Sequence, residues 1–389
     1  MIIGLVGAPN KGKSTIFSAM TQQEVPIADY AFTTINPNLG VAYVARKCVE
    51  TELGVKCKPR TAMCRNGTRY MPVNVIDVAG LVPGAHLGKG MGNQFLNDLV
   101  SADALVQVVD ISGTTDVNGL SAEGSDPAVD VEMVRKELAQ WLAGIILRHM
   151  ADLSRRQDGS AALHELLSGF KATVREIEDA GNKSYLPMSN INWTAQEAVK
   201  FSEALLRTNK PMVVAANKMD RGSAEALDAL RKRLAGTEVI ECSGAIELAL
   251  VKAAKSGVIE YDRYSNEIKV NASASAEQAK AIAYMEGYVK RHAGTGVQRL
   301  LDTAVFGLLG NIVVYPVEDE THYTDHFGNV LPDALLMRSG STAYDLAEKI
   351  HSELAKRMKY AVDVKRKMRV QKEYVLKDGD VIKIVSTAK

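Results

Sequence analysis

Cysteine is scarce in this 389-residue chain, with thiols only at Cys48, Cys57, Cys64 and Cys242. Four thiols in a chain of this size do not make a disulfide scaffold, and the reducing cytoplasm is the expected compartment. Long apolar runs are missing as well. No uninterrupted stretch approaches the roughly 20 residues of a membrane span, so no membrane partner is expected. The opening MIIGLVGAPN has no basic region before its apolar run and no small-residue cleavage site, so it reads as a strand and not as a signal peptide. Nor does charge of one sign dominate: 47 Lys and Arg face 46 Asp and Glu, for a net charge of +1. That balance argues against the whole surface attracting nucleic acid, and no DNA partner is expected, although a local basic patch stays open. What is present is 46% hydrophobic and 24% charged residues, ample for a sizeable core. The length exceeds one ordinary core, so two or three domains are the natural expectation.

Met1 to Val6 is a short run rich in Ile and Val, as a buried parallel strand requires. It leads directly into Gly7-Ala8-Pro9-Asn10-Lys11-Gly12-Lys13-Ser14, and a helical segment beginning with Thr15 follows. This is the phosphate-binding pattern G-x-x-x-x-G-K-[ST] in its strand–loop–helix setting. Gly7 and Gly12 let the backbone amides curl inward as an anion nest at a helix N-terminus. Lys13 would place a charge on the outer phosphates, and Ser14 would offer a hydroxyl to a bridging magnesium ion.

The base is addressed much further on. Pro211 to Ala216 is a second buried-strand run, and it ends in Asn217-Lys218-Met219-Asp220. This resembles the N-K-x-D motif of GTPases, in which a carboxylate at the position of Asp220 accepts from the guanine ring and its exocyclic amine. Adenine would leave that carboxylate unpaired. Asn217 would brace the loop, and the stem of Lys218 would cover the base. Between the two motifs, Val73 to Gly80 reads as a strand ending in D-x-x-G, with Asp77 holding magnesium through water and the Gly80 amide contacting the terminal phosphate. In Phe32-Thr33-Thr34-Ile35 a hydroxyl could complete the metal shell, and geometry alone does not choose between Thr33 and Thr34. Val239 to Ala245 resembles the last guanine loop, usually S-A-K. Gly244 and Ala245 depart from that pattern after Ser243, which points to backbone contacts.

With their flanks, these motifs resemble the Obg-related GTPases. The Gly-rich stretch after Asp77, Asn10 within G-x-P-N-x-G-K-S and the Phe32-Thr33-Thr34 triplet carry the likeness, which is greatest to the YchF-related branch of archaeal type and spans essentially the whole chain. The resemblance implies Thr34 as the magnesium-completing hydroxyl and nucleotide contacts from Asn10 through Thr15. It implies Lys13, Thr34 and Gly80 as the groups acting on the terminal phosphate. YchF proteins that have lost N-K-x-D prefer ATP; Asn217, Lys218 and Asp220 favour GTP here. Leu81 stands where Ras-like enzymes place the glutamine that orients water, so intrinsic hydrolysis is expected to be slow. An arginine finger or its equivalent is worth about 10³–10⁵ in rate. A potassium ion ligated by Asn10 is one candidate substitute; the alternative is that Asn10 only hydrogen-bonds within its loop. His86 could orient water, or be a solvated loop residue.

About a hundred residues separate the strand Ala104–Ile111 from the strand ending at Asn217, far more than a crossover needs. The excess reads as helices. One starts at Asp126-Pro127, a second carries Leu163, Leu166, Leu167, Phe170, Val174 and Ile177, and a third opens at Thr194 with Glu197 in a capping box. Cys48, Cys57 and Cys64 lack the close C-x₂₋₄-C pair of structural zinc sites, so ordinary reduced cysteines are expected over a metal centre. Beyond Gly310, strand runs alternate with the capped helix start Gly340–Ala347 and the turn Asp378-Gly379-Asp380. These resemble the TGS domain, a β-grasp module. Lys356, Arg357, Lys359, Lys365, Arg366, Lys367, Arg369 and Lys372 face only Asp363 among acids, and Tyr360 and Tyr374 are available for stacking, a combination suited to RNA or a ribosome.

The expected architecture is an α/β P-loop NTPase with a doubly wound, mostly parallel sheet. It comprises a GTPase domain over 1–115 and 210–310, a helical insertion over 116–209 and a β-grasp domain over 311–389. The expected function is magnesium-dependent GTP hydrolysis to GDP, with switch loops coupling nucleotide state to RNA or ribosome binding. The alternatives are a nucleotide-sensing adaptor whose hydrolysis is incidental and, third, an ATPase.

Overall fold

Residues Ile3, Leu5 and Val6 are wholly buried because the strand they form, β1 (Ile2–Val6), lies inside a sheet covered on both faces. The computed structural model describes residues 1–22, 38–60, 63–78, 80–87, 99–272 and 274–387. The sheet also contains β2 (Leu39–Lys47), the short β3 (Cys64–Arg65), β4 (Thr68–Asp77), β5 (Ala104–Asp110), β6 (Met212–Asn217) and β7 (Val239–Glu241). Its strand order is β2-β4-β1-β5-β6-β7, with β3 pairing antiparallel to β4. From β4 across to β7 every pairing is parallel. The expected neighbours meet in register, Leu105 opposite Met212 through Asp110 opposite Asn217. Parallel strands covered on both faces read as unbroken apolar runs, which is why β5 and β6 were recognisable without alternation.

One face of the sheet is covered by the inserted helices. Val6, Val78, Leu81 and Leu105 share a core with Leu138, Leu142, Leu163 and Phe201. On the other face Val109, Val214 and Ala216 pack with Leu230, Leu250 and Tyr288. Of the insertion, α1 (Pro127–Arg148) starts as expected, with the Asp126 side chain accepting from the Ala128 amide and proline in the first turn. The second expected helix is instead broken. Gly159–Leu166 is helical, a 3₁₀ turn spans Ser168–Phe170, and Lys171 adopts φ 57°. A new helix, α2 (Val174–Ser184), then begins under a Thr173–Glu176 capping box. The left-handed residue and the fresh cap end a hydrophobic periodicity that otherwise continues across the break. The third helix, α3 (Ala195–Asn209), carries the expected Thr194–Glu197 box.

The chain divides into two compact units. One holds Met1–Gln22, residues 38–41 and Asn74–Ala304; Ala42–Val73 belongs with Val305–Lys389 in the other. The sequence-based boundary at 310–311 did not anticipate that grouping. Its cause is a set of long-range bonds: the amides of Lys58 and Arg60 donate to the carbonyls of Val330 and Pro332, and Lys365 pairs with Glu52 at 2.7 Å. The second unit contains a five-stranded sheet of β10 (Asn311–Val317), β11 (Leu335–Arg338), β12 (Met358–Asp363), β13 (Met368–Val370) and β14 (Val381–Ser386), ordered β11-β10-β14-β12-β13. The helix Ala343–Ile350 packs Ala343, Leu346 and Ala347 into a core with Val314, Ala361 and Ile382. The strands β8 (Ile259–Asp262) and β9 (Glu267–Val270) form a separate hairpin in the first unit.

Candidate functional site

Five parallel strands end side by side, and each delivers one part of a site at its carboxyl end, where open α/β sheets bind ligands. The loop after β1 is shaped by its glycines. Gly7 has φ 145°, and an added Cβ would lie 2.5 Å from the Val108 carbonyl oxygen. Gly12 has φ 92° and precedes the helix Lys13–Thr21; a Cβ there would overlap the side-chain amide of Asn217. The loop is therefore packed tightly against Val108 of β5 and Asn217, the last residue of β6.

Asn217 is buried and joins three segments. Its Nδ2 donates to the Lys11 carbonyl at 2.8 Å, and its Oδ1 accepts from the Gly244 amide at 3.0 Å and weakly from Cys242 Sγ at 3.8 Å. Asp220 accepts from the Ser243 hydroxyl at 2.6 Å, and Ser243 also caps the helix Gly244–Lys255 by accepting from the Ile246 amide. Residues 217, 220, 243 and 244 thus form one bonded group, with Ala245 in the first turn of that helix. Beneath it, Glu247 is fully buried, pairs with Arg263 and accepts from Thr295 and Tyr261, while Thr295 receives the Ser243 amide. Sequence reading missed this support, because its members come from separate segments between residues 243 and 295.

Lys13 Nζ donates to the Ala8 carbonyl at 2.9 Å. Burial lowers its pKa, partly opposed by Asp77 and reinforced by Lys11. Asp77 sits at the end of β4. Its carboxyl is pushed up by burial, against the opposing pull of nearby Ser14 and the Lys13 charge, and among the described residues its Oδ1 is buried without a hydrogen-bond partner. Ser14 itself is exposed, and Thr15 is half-buried. Gly80 lies against the loop, its ideal Cβ position 3.1 Å from Pro9 Cγ. Thr34, with Phe32 and Thr33, falls outside the described residues.

Three side chains have partners that the sequence did not name. Lys11 is 0% exposed; its Nζ pairs with Asp130 at 2.8 Å and donates to the Thr115 carbonyl at 2.8 Å, so only its backbone faces the loop. Asn10 (φ 61°) donates its amide to the Gly119 carbonyl at 2.9 Å. His86, expected as a water-orienting group or a solvated residue, is held at 2.6 Å by Glu137, which also accepts from the amides of Gly84 and His86. Leu81 is 2% exposed and packs in the sheet core, its amide donating to the Gly7 carbonyl. Lys218 (φ 63°) forms a 2.8 Å ion pair with Asp110, the last residue of β5 and a residue the motifs did not single out.

In the C-terminal unit the basic run is only partly free. Lys365 pairs with Glu52, Arg366 with Asp363 and Lys356 with Glu353. Tyr374 bonds Asp363, Asp380 and Arg366 through its hydroxyl. Tyr360 lies under the Arg369 guanidinium at 3.8 Å. Arg366, Lys367 and Arg369 are exposed around the β12–β13 turn.

Residues 2–147 match the family described as 50S ribosome-binding GTPases, residues 215–319 the G4 motif-containing domain of YGR210-like Obg-like GTPases, and residues 327–386 the TGS domain. The chain is 46% identical to an uncharacterized GTP-binding protein of Methanocaldococcus jannaschii, with all of both chains covered. A solved GTP-binding protein from Pyrococcus horikoshii is 36% identical with a TM-score of 0.82, again over the full length of both. A protein of Mycoplasma genitalium named ribosome-binding ATPase YchF is 31% identical over 55% of each chain. No helix among the described residues is long and apolar enough to cross a membrane. The chain is a guanine-nucleotide-binding protein of the Obg-like GTPases, YchF-related, with an MMR_HSR1-type GTPase domain and a C-terminal TGS domain.

Proposed function

We propose that the chain hydrolyses GTP to GDP and phosphate, and that its nucleotide state governs contact with ribosomal RNA. The observation that carries the hydrolytic reading is the convergence of Lys13, Ser14 and Asp77 beside the loop amides while Asp220 stands with Ser243 at the neighbouring strand ends. The loop amides and the N-terminus of the following helix would hold the phosphates. Lys13 would leave the Ala8 carbonyl for a terminal phosphate oxygen, and the Gly80 amide would meet the same group. Asp220 would accept from guanine, with Asn217 keeping the two loops in register.

Magnesium fits the donor set, since among the described residues Asp77 Oδ1 is buried without a protein partner and Ser14 lies near enough to the same carboxylate to lower its pKa. Ser14 and Asp77, with Thr34 by resemblance, would hold it. When bound, it neutralises charge on the transferring phosphoryl group. A role for potassium rests on Asn10 alone.

Support for ribosome binding comes from the name of the Mycoplasma relative, the description of the matching GTPase family and the exposed Arg366, Lys367 and Arg369. Buried Leu81 favours a second reading, an adaptor with incidental hydrolysis, because it leaves no polar group at that position to orient water. GTP and ATP turnover of the purified protein, in potassium and sodium buffers with and without ribosomes, separates these readings. GTP turnover raised at least about tenfold by ribosomes supports the switch enzyme. Tight GTP binding without turnover in any arm favours the adaptor, and preferential ATP turnover overturns the base assignment.

A further inference from the structure

Cys48, Cys57 and Cys64 are scattered in sequence without the close C-x₂₋₄-C pair typical of structural zinc sites, yet the fold brings them together. The three thiol sulfurs and a Glu50 carboxylate oxygen all lie within 4.8 Å of one another. Cys48 follows β2 and its amide is tied to the Gly67 carbonyl. Glu50 opens the helical turn Glu50–Leu53, Cys57 lies in the loop beyond it, and Cys64 starts the β3–β4 hairpin. The carboxylate is already oriented: Glu50 Oε2 accepts from the Cys57 amide at 2.8 Å, and Oε1 receives the Cys64 thiol at 3.3 Å.

We propose that Cys48, Cys57, Cys64 and Glu50 form a structural zinc site in the second unit of the chain. Three sulfurs and one oxygen are a tetrahedral set for this ion. With Zn–S of about 2.3 Å, the sulfur–sulfur edges of the tetrahedron are about 3.8 Å, so the present spread closes by modest side-chain rotation. Binding exchanges three thiol protons for one divalent ion and leaves a cluster of net negative charge.

A second feature points to the same charge. Arg69 is 0% exposed, and among the described residues no carboxylate forms an ion pair with it. Its guanidinium is 3.6 Å from Cys57 Sγ and bonds the Leu331 carbonyl, and among the described residues its Nε is buried without a partner. A buried cation without an anionic partner is costly, and a zinc–thiolate cluster beside it would offset that cost. The ion would pin the Cys57–Arg60 loop, whose Lys58 and Arg60 amides bond the Val330 and Pro332 carbonyls.

The test is elemental analysis of the full chain purified without chelator, together with cobalt titration of the metal-stripped chain. The expected result is about one zinc per chain, and a cobalt complex with a thiolate charge-transfer band and the visible bands of tetrahedral coordination. Cys57→Ser, at a half-buried position, and Cys48→Ser should each reduce bound zinc at least about tenfold, whereas Cys242→Ser should retain it. Zinc at background with no charge-transfer band on cobalt addition to the wild-type chain would overturn the proposal. So would a disulfide between any two of these cysteines in protein handled anaerobically. The cobalt spectrum is read on the wild-type chain, so it decides the matter even if a variant fails to fold.

Discussion

Asp110 gathers five donors on one buried carboxylate: the Ser112 amide and hydroxyl, the hydroxyls of Thr114 and Thr115, and the Lys218 ammonium. Burial alone would raise its pKa, but Lys218 and the three hydroxyl groups outweigh it and hold the group at about 2. An unfolded aspartate titrates near about 3.9, so the native state binds its proton less readily. The stability this contributes is present above about pH 4 and is lost as pH falls toward about 2. Asp110→Asn is therefore expected to cost about 2 kcal/mol at pH 6, with the gap to the wild type narrowing at pH 3. Urea unfolding at both values checks this; a gap that does not change with pH would refute it. Asp110 was invisible in the sequence because its role exists only once β5 and β6 pair, whereas Asp220 announced itself through its motif. Lys11 shows a related limit: its place in a phosphate loop is legible, but the ion pair of its ammonium with Asp130, more than a hundred residues away, is not.

At the scale of elements, helix starts were legible because a cap is a local event. Thr194 and Glu197 are three residues apart, and their reciprocal bonds need nothing from the rest of the chain. Thr194→Ala should destabilise the first unit by about 1 kcal/mol, read as a shifted thermal midpoint. A midpoint unchanged within error would mean that packing of Phe201 and Leu205 alone fixes this helix. The break between residues 166 and 174 was not legible, since apolar residues recur across it and the left-handed Lys171 has no side-chain signature. The same limit hid the cysteine cluster. Ligand spacing is informative when one turn supplies two ligands, but here each thiol comes from a different element.

For the whole molecule, the sheet and the order of its site-bearing loops followed from buried strand runs ending in short motifs. The grouping of Ala42–Val73 with Val305–Lys389 did not, because it depends on backbone bonds between loops more than 250 residues apart, such as Lys58 to Val330. The central claim concerns the nucleotide, and equilibrium affinity for GTP and ATP in magnesium buffer, for the wild type and Asp220→Asn, tests it most directly. The expected result is GTP bound at least about 100-fold more tightly than ATP by the wild type, with most of that preference lost in the variant. Equal or tighter ATP binding by the wild type, or a preference untouched by Asp220→Asn, would contradict the account.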